Sequence, residues 1–234
     1  MASRVSSILN TKTEPVSFLA NTTPVSNTTA NTVPVLTLKP KKGKRTGRHA
    51  VVSFMRMQPP HKGHEKVVAK LMELASQYRA DPILFTSVKQ DAKTNPLPFT
   101  EKVRFLKRLF PNIMISEHDG VRTPIQMLAA LSLLKYDAVT VVVGSDRVPD
   151  FEKFAQYVKS EGTRGQDIVL SDYQVVGIAR DRDAEGVQGL SSTKMREWSR
   201  DGNWEDFRAG VPTQNDALAK QLYNRLRGAT GLKR

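Results

Sequence analysis

The stretch Arg56-Met57-Gln58-Pro59-Pro60-His61-Lys62-Gly63-His64 lies between two segments of different period. Before it, the largely apolar run Ala50 to Met55 reads as a buried strand. After it, Val67, Val68, Leu71, Leu74 and Tyr78 fall on one face of a helix. The stretch is therefore a strand-to-helix turn carrying two histidines three residues apart, a spacing that shares a helix face. Gly63 lets backbone approach a ligand closely, and a helix start offers unpaired N–H groups at the positive end of a dipole. Such a turn suits an anion, above all a phosphate. The same residues also fit a plain turn with two surface histidines, so the second half of any site must come from elsewhere in the chain.

Working outward, strand and helix signals alternate from His49 onward. Ile83 to Val88 reads as a second strand, and Phe99 to Phe110 as a helix with Val103, Leu106 and Phe110 inward. Ile113 to Ser116 reads as a short third strand. Thr123-Pro124-Ile125-Gln126 is a helix start: Thr123 caps, Pro124 fits the first position and Gln126 completes a capping box. Ala138 to Val143 is a β-branched strand ending at Gly144-Ser145-Asp146, and Phe151, Phe154, Ala155 and Val158 mark a further helix. Ile168 to Ile178 carries a fifth strand. This order predicts an α/β fold, a doubly wound, Rossmann-like parallel sheet of five strands with helices on both faces. Such sheets bind ligands beyond the carboxyl ends of their strands, where strand order switches. The histidine turn and Gly144-Ser145-Asp146 each directly follow a strand.

A third segment, Gly189-Leu190-Ser191-Ser192-Thr193-Lys194-Met195-Arg196, places three hydroxyls before a helix whose first turns hold Lys194 and Arg196. One reading is a simple Ser/Thr N-cap. The other is a phosphate site, because cations in a first turn oppose the helix dipole and favour a bound anion there.

The 234-residue chain has no cysteine, which excludes disulfide frameworks and thiolate metal sites. No apolar run approaches the roughly 20 residues that span a bilayer, and no secretory core is present, although Met1 to Leu19 could serve as an organellar transit peptide. Of the net charge of +13, +7 lies in residues 1–48, where eight Lys/Arg face Glu14 alone. That segment is Thr/Asn/Pro-rich and too polar to pack a core, so it reads as an extended basic arm before a domain over 49–234. Lys39 to Arg48 reads as a solvated hinge or a contact for phosphate backbone.

Together, Arg56 to His64, the stretch Asn95-Pro96-Leu97-Pro98-Phe99-Thr100 with Arg104 following, Ser191 to Arg196, and Asp201-Gly202-Asn203-Trp204 resemble the His-x-Gly-His nucleotidylyltransferase superfamily. They are similar to the archaeal-type nicotinamide mononucleotide adenylyltransferases. Gly144-Ser145-Asp146-Arg147-Val148, Arg180 to Val187 and Lys194-Met195-Arg196 resemble most closely the nucleotidyltransferase-like proteins of large tailed phages. The resemblance spans residues 49–232. Met55 replaces the usual Gly before the motif Arg, and Pro60 stands where nicotinamide enzymes often carry Phe.

The resemblance implies in-line attack by an acceptor phosphate on the α-phosphorus of a nucleoside triphosphate, ATP first, with Mg²⁺ bridging phosphates and no protein metal cage. It implies His61, His64 and Arg196 as catalytic residues. It assigns nucleotide binding to Arg56, Gly63, Arg104, Gly144, Asp146, Ser191, Ser192, Thr193 and Lys194. Nicotinamide mononucleotide is the first acceptor it suggests; phosphopantetheine, flavin mononucleotide or a CTP-using reaction stay open. It also implies a cytoplasmic protein, in the host cytoplasm or the virion. The alternative function is a virion or scaffolding protein that keeps the fold and docks on a larger assembly through residues 1–48. Nucleic acid fits less well, since the excess charge sits mainly in the arm. Redox use of a dinucleotide is disfavoured because Pro59-Pro60-His61 stands where a Gly-x-Gly-x-x-Gly turn belongs.

A chain starting at Arg48 is expected to unfold at nearly the same temperature as the full chain. If deleting residues 1–47 unfolds it, the arm is part of the core and the boundary is misplaced.

Overall fold

The computed structural model describes residues 47–158, 168–178 and 190–229. The expected arm up to residue 46, the stretch Arg180 to Val187, and Gly189 lie outside the described residues. In chain order the elements are β1 (Arg48–Met55), α1 (Lys62–Tyr78), β2 (Asp81–Thr86), α2 (Phe99–Leu109), β3 (Met114–Ile115), α3 (Pro124–Leu133) and β4 (Tyr136–Gly144). They continue as α4 (Val148–Glu152), β5 (Asp172–Ile178), α5 (Ser192–Asp201), α6 (Trp204–Gly210) and α7 (Asp216–Ala229).

All five strands are parallel, in the order β3-β2-β1-β4-β5. The fold is the doubly wound α/β sheet that the alternation predicts. Along β1, side chains alternate between two cores, as the two-residue strand period demands. Val51 joins Leu84 and Val142 beneath α1, α2 and the three C-terminal helices, whereas Ala50 and Val52 join Ile83, Val139 and Val141 beneath α3 and α4. Phe207 and Tyr223 pack edge to face with centroids 5.1 Å apart in the first core.

The strand starts are pinned by one polar cluster. Arg48 Nη2 donates to Asp81 at 3.0 Å and to the Tyr136 hydroxyl at 2.8 Å, and that hydroxyl donates to Asp81 at 2.8 Å. Arg48, the last residue of the basic run, is thus the first of β1. Thr123 and Gln126 form the expected capping box at α3.

Two expectations are corrected. Tyr78 does not enter the core: it is 36% exposed at the end of α1, where its ring stacks on His49 at 5.2 Å. The segment through Val158 is not one helix, since α4 ends at Glu152 and a 3₁₀ stretch, Lys153–Tyr157, follows. Short 3₁₀ pieces are a common way to end a helix; here the tighter winding sets Phe154 edge-on to Phe151 at 5.6 Å and ends at buried Val158.

Leu131 is fully buried between α3 and the sheet. Leu131→Ala should cost about 2–5 kcal/mol, read as a lower urea midpoint with unchanged slope; a loss below about 0.5 kcal/mol would show that this face repacks freely.

Candidate functional site

After β3 the chain crosses to the other side of β1, so strand order switches between β1 and β4. An open cleft of about 460 Å³ lies beyond the carboxyl ends of β1, β2 and β4. Arg56, Gly63, His64, Gly144 and Asp146 all line it. Ser87, Lys89, Asn95 and Arg147 complete its polar lining. Arg56, Lys89 and Arg147 outnumber Asp146, the one carboxylate of the lining, which leaves the cleft basic.

The turn before α1 is held by its own histidines. His61 caps the helix, its Nδ1 accepting the Gly63 N–H at 3.0 Å, while the His61 N–H donates to His64 Nδ1 at 3.2 Å. An imidazole whose Nδ1 accepts carries its neutral-form proton on Nε2. Each neutral ring therefore carries its proton on Nε2. The two rings lie 3.9 Å apart, His61 buried and His64 bordering the cleft. Gly63 has a second reason to be glycine: a Cβ there would sit 2.8 Å from His61 Cε1 and 2.9 Å from His61 Nδ1.

The loop from Arg56 to Pro60 is tied from three sides through its backbone carbonyls. Ser192 Oγ donates to the Pro59 carbonyl at 2.9 Å. Arg196 Nη1 donates to the Gln58 carbonyl at 2.6 Å, and its Nη2 to Thr193 Oγ1 at 3.1 Å. Lys102 Nζ donates to the Arg56 carbonyl at 3.0 Å. The Gln58 side chain pairs with the Leu97 backbone in both directions, at 2.8 and 3.0 Å. Met57 is fully buried with a left-handed backbone, φ 47°. Non-glycine residues adopt that conformation only where their surroundings enforce it, often at functional sites.

The α5 segment is docked on this loop rather than lining the cleft. Ser191 caps α5, accepting the Lys194 N–H at 3.2 Å, so the simple cap reading describes that hydroxyl. Thr193 and Lys194 are exposed. Arg196 shares an electrostatic neighbourhood with the cleft: burial and the like charge of Arg56 lower its pKa, against the opposing pull of Asp91. Arg104 is exposed on α2 and does not line the cleft.

Sequence reasoning did not select Lys89, Asn95, Arg147 or Lys102. Arg147 immediately follows the Gly144-Ser145-Asp146 turn, and Lys102 interrupts the apolar face of α2 at the position before Val103; both were visible signals. Asn95 depends on tertiary placement. It is 1% exposed, and its Nδ2 donates to the Asp91 carboxylate and, at 2.8 Å, to Thr94 Oγ1. Its Oδ1, by contrast, is buried and has no hydrogen-bond partner among the described residues. The Thr94 backbone N–H and the Asn95 side chain hold Asp91 well below the usual carboxylate range. An ionised Asp91 disfavours flipping the amide, so Oδ1 is kept as an acceptor.

No family model and no curated protein matches the chain in sequence. Its fold is similar to that of Plasmodium falciparum nicotinic acid mononucleotide adenylyltransferase complexed with NaAD, with a TM-score of 0.52 at 13% identity, covering 76% of this chain and 98% of that one. That likeness is one of fold. A macrolide-efflux protein from Streptococcus pneumoniae aligns more loosely, with a TM-score of 0.41 at 17% identity over 70% of this chain and 55% of that one. Among the described residues no helix is long and apolar enough to cross a membrane.

Gly63→Ala should displace the buried His61 ring and cost about 1–3 kcal/mol, seen as a lower melting temperature and changed imidazole ¹⁵N shifts. Gly228→Ala is the control, because a Cβ there meets nothing within 4 Å. It should be neutral or stabilise by up to about 1 kcal/mol. Equal effects at the two glycines would show that the His61 packing is not what Gly63 serves.

Proposed function

We propose that this chain transfers a nucleotidyl group from a nucleoside triphosphate, ATP first, to a small phosphorylated acceptor with release of pyrophosphate. The observation that carries the reading is a basic cleft at the switch between β1 and β4, bordered by His64, whose Nδ1 is taken by the His61 N–H, and by the start of α1. Donors and a helix start beyond the strand ends are what a phosphate chain requires. The fold similarity to an adenylyltransferase supports the same reading.

In this mechanism an acceptor phosphate oxygen forms a bond to the α-phosphorus. The bond from that phosphorus to the bridging oxygen breaks, and pyrophosphate leaves with the electron pair. The chain forms no covalent intermediate with the nucleotide. It contributes position and charge stabilisation. His64 Nε2–H donates to the α-phosphate oxygen on which charge develops. Arg56, Lys89 and Arg147 receive the remaining phosphate charge, and Asp146, beyond Gly144, meets the ribose. His61 holds the turn, while Ser192 and Arg196 hold its carbonyls from behind. The described residues contain no cluster of three or more His, Cys, Asp or Glu that could cage a metal. Of the cleft lining, Asp146 is the carboxylate that would hold Mg²⁺, and the ion would neutralise phosphate charge.

For the acceptor we favour nicotinamide mononucleotide. It is the acceptor that the sequence resemblance suggests first.

The test is pyrophosphate release with ATP or CTP, Mg²⁺ and a panel of acceptors, alongside melting temperature. ATP at 100 times its dissociation constant should add about 2.7 kcal/mol of stability. His64→Ala should retain that shift and lose on the order of 100- to 1,000-fold in turnover. No shift at millimolar ATP or CTP, together with no pyrophosphate from any acceptor, would falsify the reading; full turnover in His64→Ala would remove His64 from its role.

A further inference from the structure

Lys102 lies on the inward face of α2 beside Val103 and Leu106, and it is fully buried. Its Nζ donates to the Arg56 carbonyl at 3.0 Å and to the Ser87 carbonyl at 2.5 Å, with Ser87 Oγ at 3.5 Å. Arg56 and Ser87 are the residues that carry β1 and β2 into the cleft, and both line it. A buried ammonium ordinarily has a carboxylate beside it, because removing an unpaired charge from water is costly.

Among the described residues no carboxylate is bonded to Lys102 Nζ. The charged groups on this side of the molecule are Arg56, Lys89, Asp146 and Arg147 on the cleft lining, Asp91 and Arg196, which share a field with Arg56, and Glu101, which precedes Lys102 on α2. Asp91 is bonded to Thr94 and Asn95, and Glu101 is bonded through both oxygens to Arg225. Burial first, and then the like charge of Arg56, push the Lys102 ammonium down to about 7. Two carbonyls orient this side chain, yet among the described residues its charge has no opposite partner.

We propose that Lys102 is a positioning residue whose missing counter-charge is the bound phosphate chain: it holds the Arg56 and Ser87 carbonyls behind the cleft and takes a proton from solvent as the polyanion arrives. This rests on the phosphate-binding reading of the cleft. A triphosphate near Arg56 reverses the sign of the field at Lys102, so the charged form becomes favoured when ligand is present. Binding of the anion and protonation of the lysine then reinforce each other, and ATP affinity falls as pH rises past the range where the empty protein keeps its proton. A lysine serving only to pack α2 would hydrogen-bond the same carbonyls with no proton linked to the ligand.

The experiment is calorimetric titration of the full chain with ATP in two buffers of different ionisation enthalpy. It is run near pH 8, where ATP phosphates are fully ionised. The expected result is uptake of roughly half to one proton per site in the wild type, and none in Lys102→Met. Lys102→Arg, charged at all these pH values, should bind without uptake and with a flatter pH dependence. Imidazoles could also take up a proton, so the lysine variants decide the assignment. If neither variant folds, the wild-type pH profile decides it: uptake continuing to about pH 9 belongs to a lysine, whereas uptake ending below about pH 7.5 belongs to histidine and overturns the proposal. ATP binding with no linked proton, or unchanged uptake in Lys102→Met, also overturns it and leaves the nucleotide site standing. No binding of ATP at all removes the phosphate reading and this role together.

Discussion

The backbone carbonyls of Arg56, Gln58 and Pro59 are the constraint on which the rest of the site depends. They follow β1, where no parallel neighbour is left to bond them. Buried carbonyls without donors are costly, and this chain supplies donors from elements far apart in sequence. Lys102 comes from α2, and Ser192 and Arg196 from α5. Thr86 adds its hydroxyl to the Met55 and Arg56 carbonyls, at 2.8 and 3.3 Å, from the end of β2. The loop is fixed by side chains that converge on it, and Met57 can then be held in a left-handed conformation. Satisfying the backbone also sets the site: the bonds that meet these carbonyls draw α2 and α5 to the edge of the cleft.

The histidines obey the same economy. Each uses Nδ1 to satisfy an N–H at the start of α1, which fixes the ring and the tautomer at once. A histidine held only by packing would be free to present either nitrogen to a ligand. Gly63 is part of this device, because the His61 ring occupies the space a Cβ would need. One turn thus ends a strand, caps a helix and brings His64 to the cleft.

Much of this was legible in the sequence, for physical reasons that differ by element. The apolar run through β1 and the 3.6-residue period of α1 survive because burial dictates them, and Thr123-Pro124-Ile125-Gln126 is a local signal that needs no tertiary context. The gathering of Arg56, Gly63, His64, Gly144 and Asp146 in one cleft followed from strand order, which alternation predicts. The remainder depended on partners distant in sequence. Tyr78 has helical spacing and is exposed, since α1 reaches its last turn over His49 rather than over the core. Asn95 is a loop residue until Asp91 and Thr94 fix its amide. Lys102 reads as a flaw in an apolar face until the ends of β1 and β2 are seen beside it.

The cleft divides into two halves with different physical tasks. The half between β1 and β4 is built from turns whose geometry is set by backbone: the capped start of α1 and the turn after Gly144. The half after β2 is built from side chains, with Ser87, Lys89 and Asn95 on a loop that ends at α2. Side chains can be exchanged without disturbing the sheet, so that half can vary while the fold stays fixed. Gln58 joins the halves by pairing with Leu97, and Lys102 joins them again by bonding Arg56 and Ser87 together. Four hydrogen bonds thus hold the two halves in one fixed arrangement.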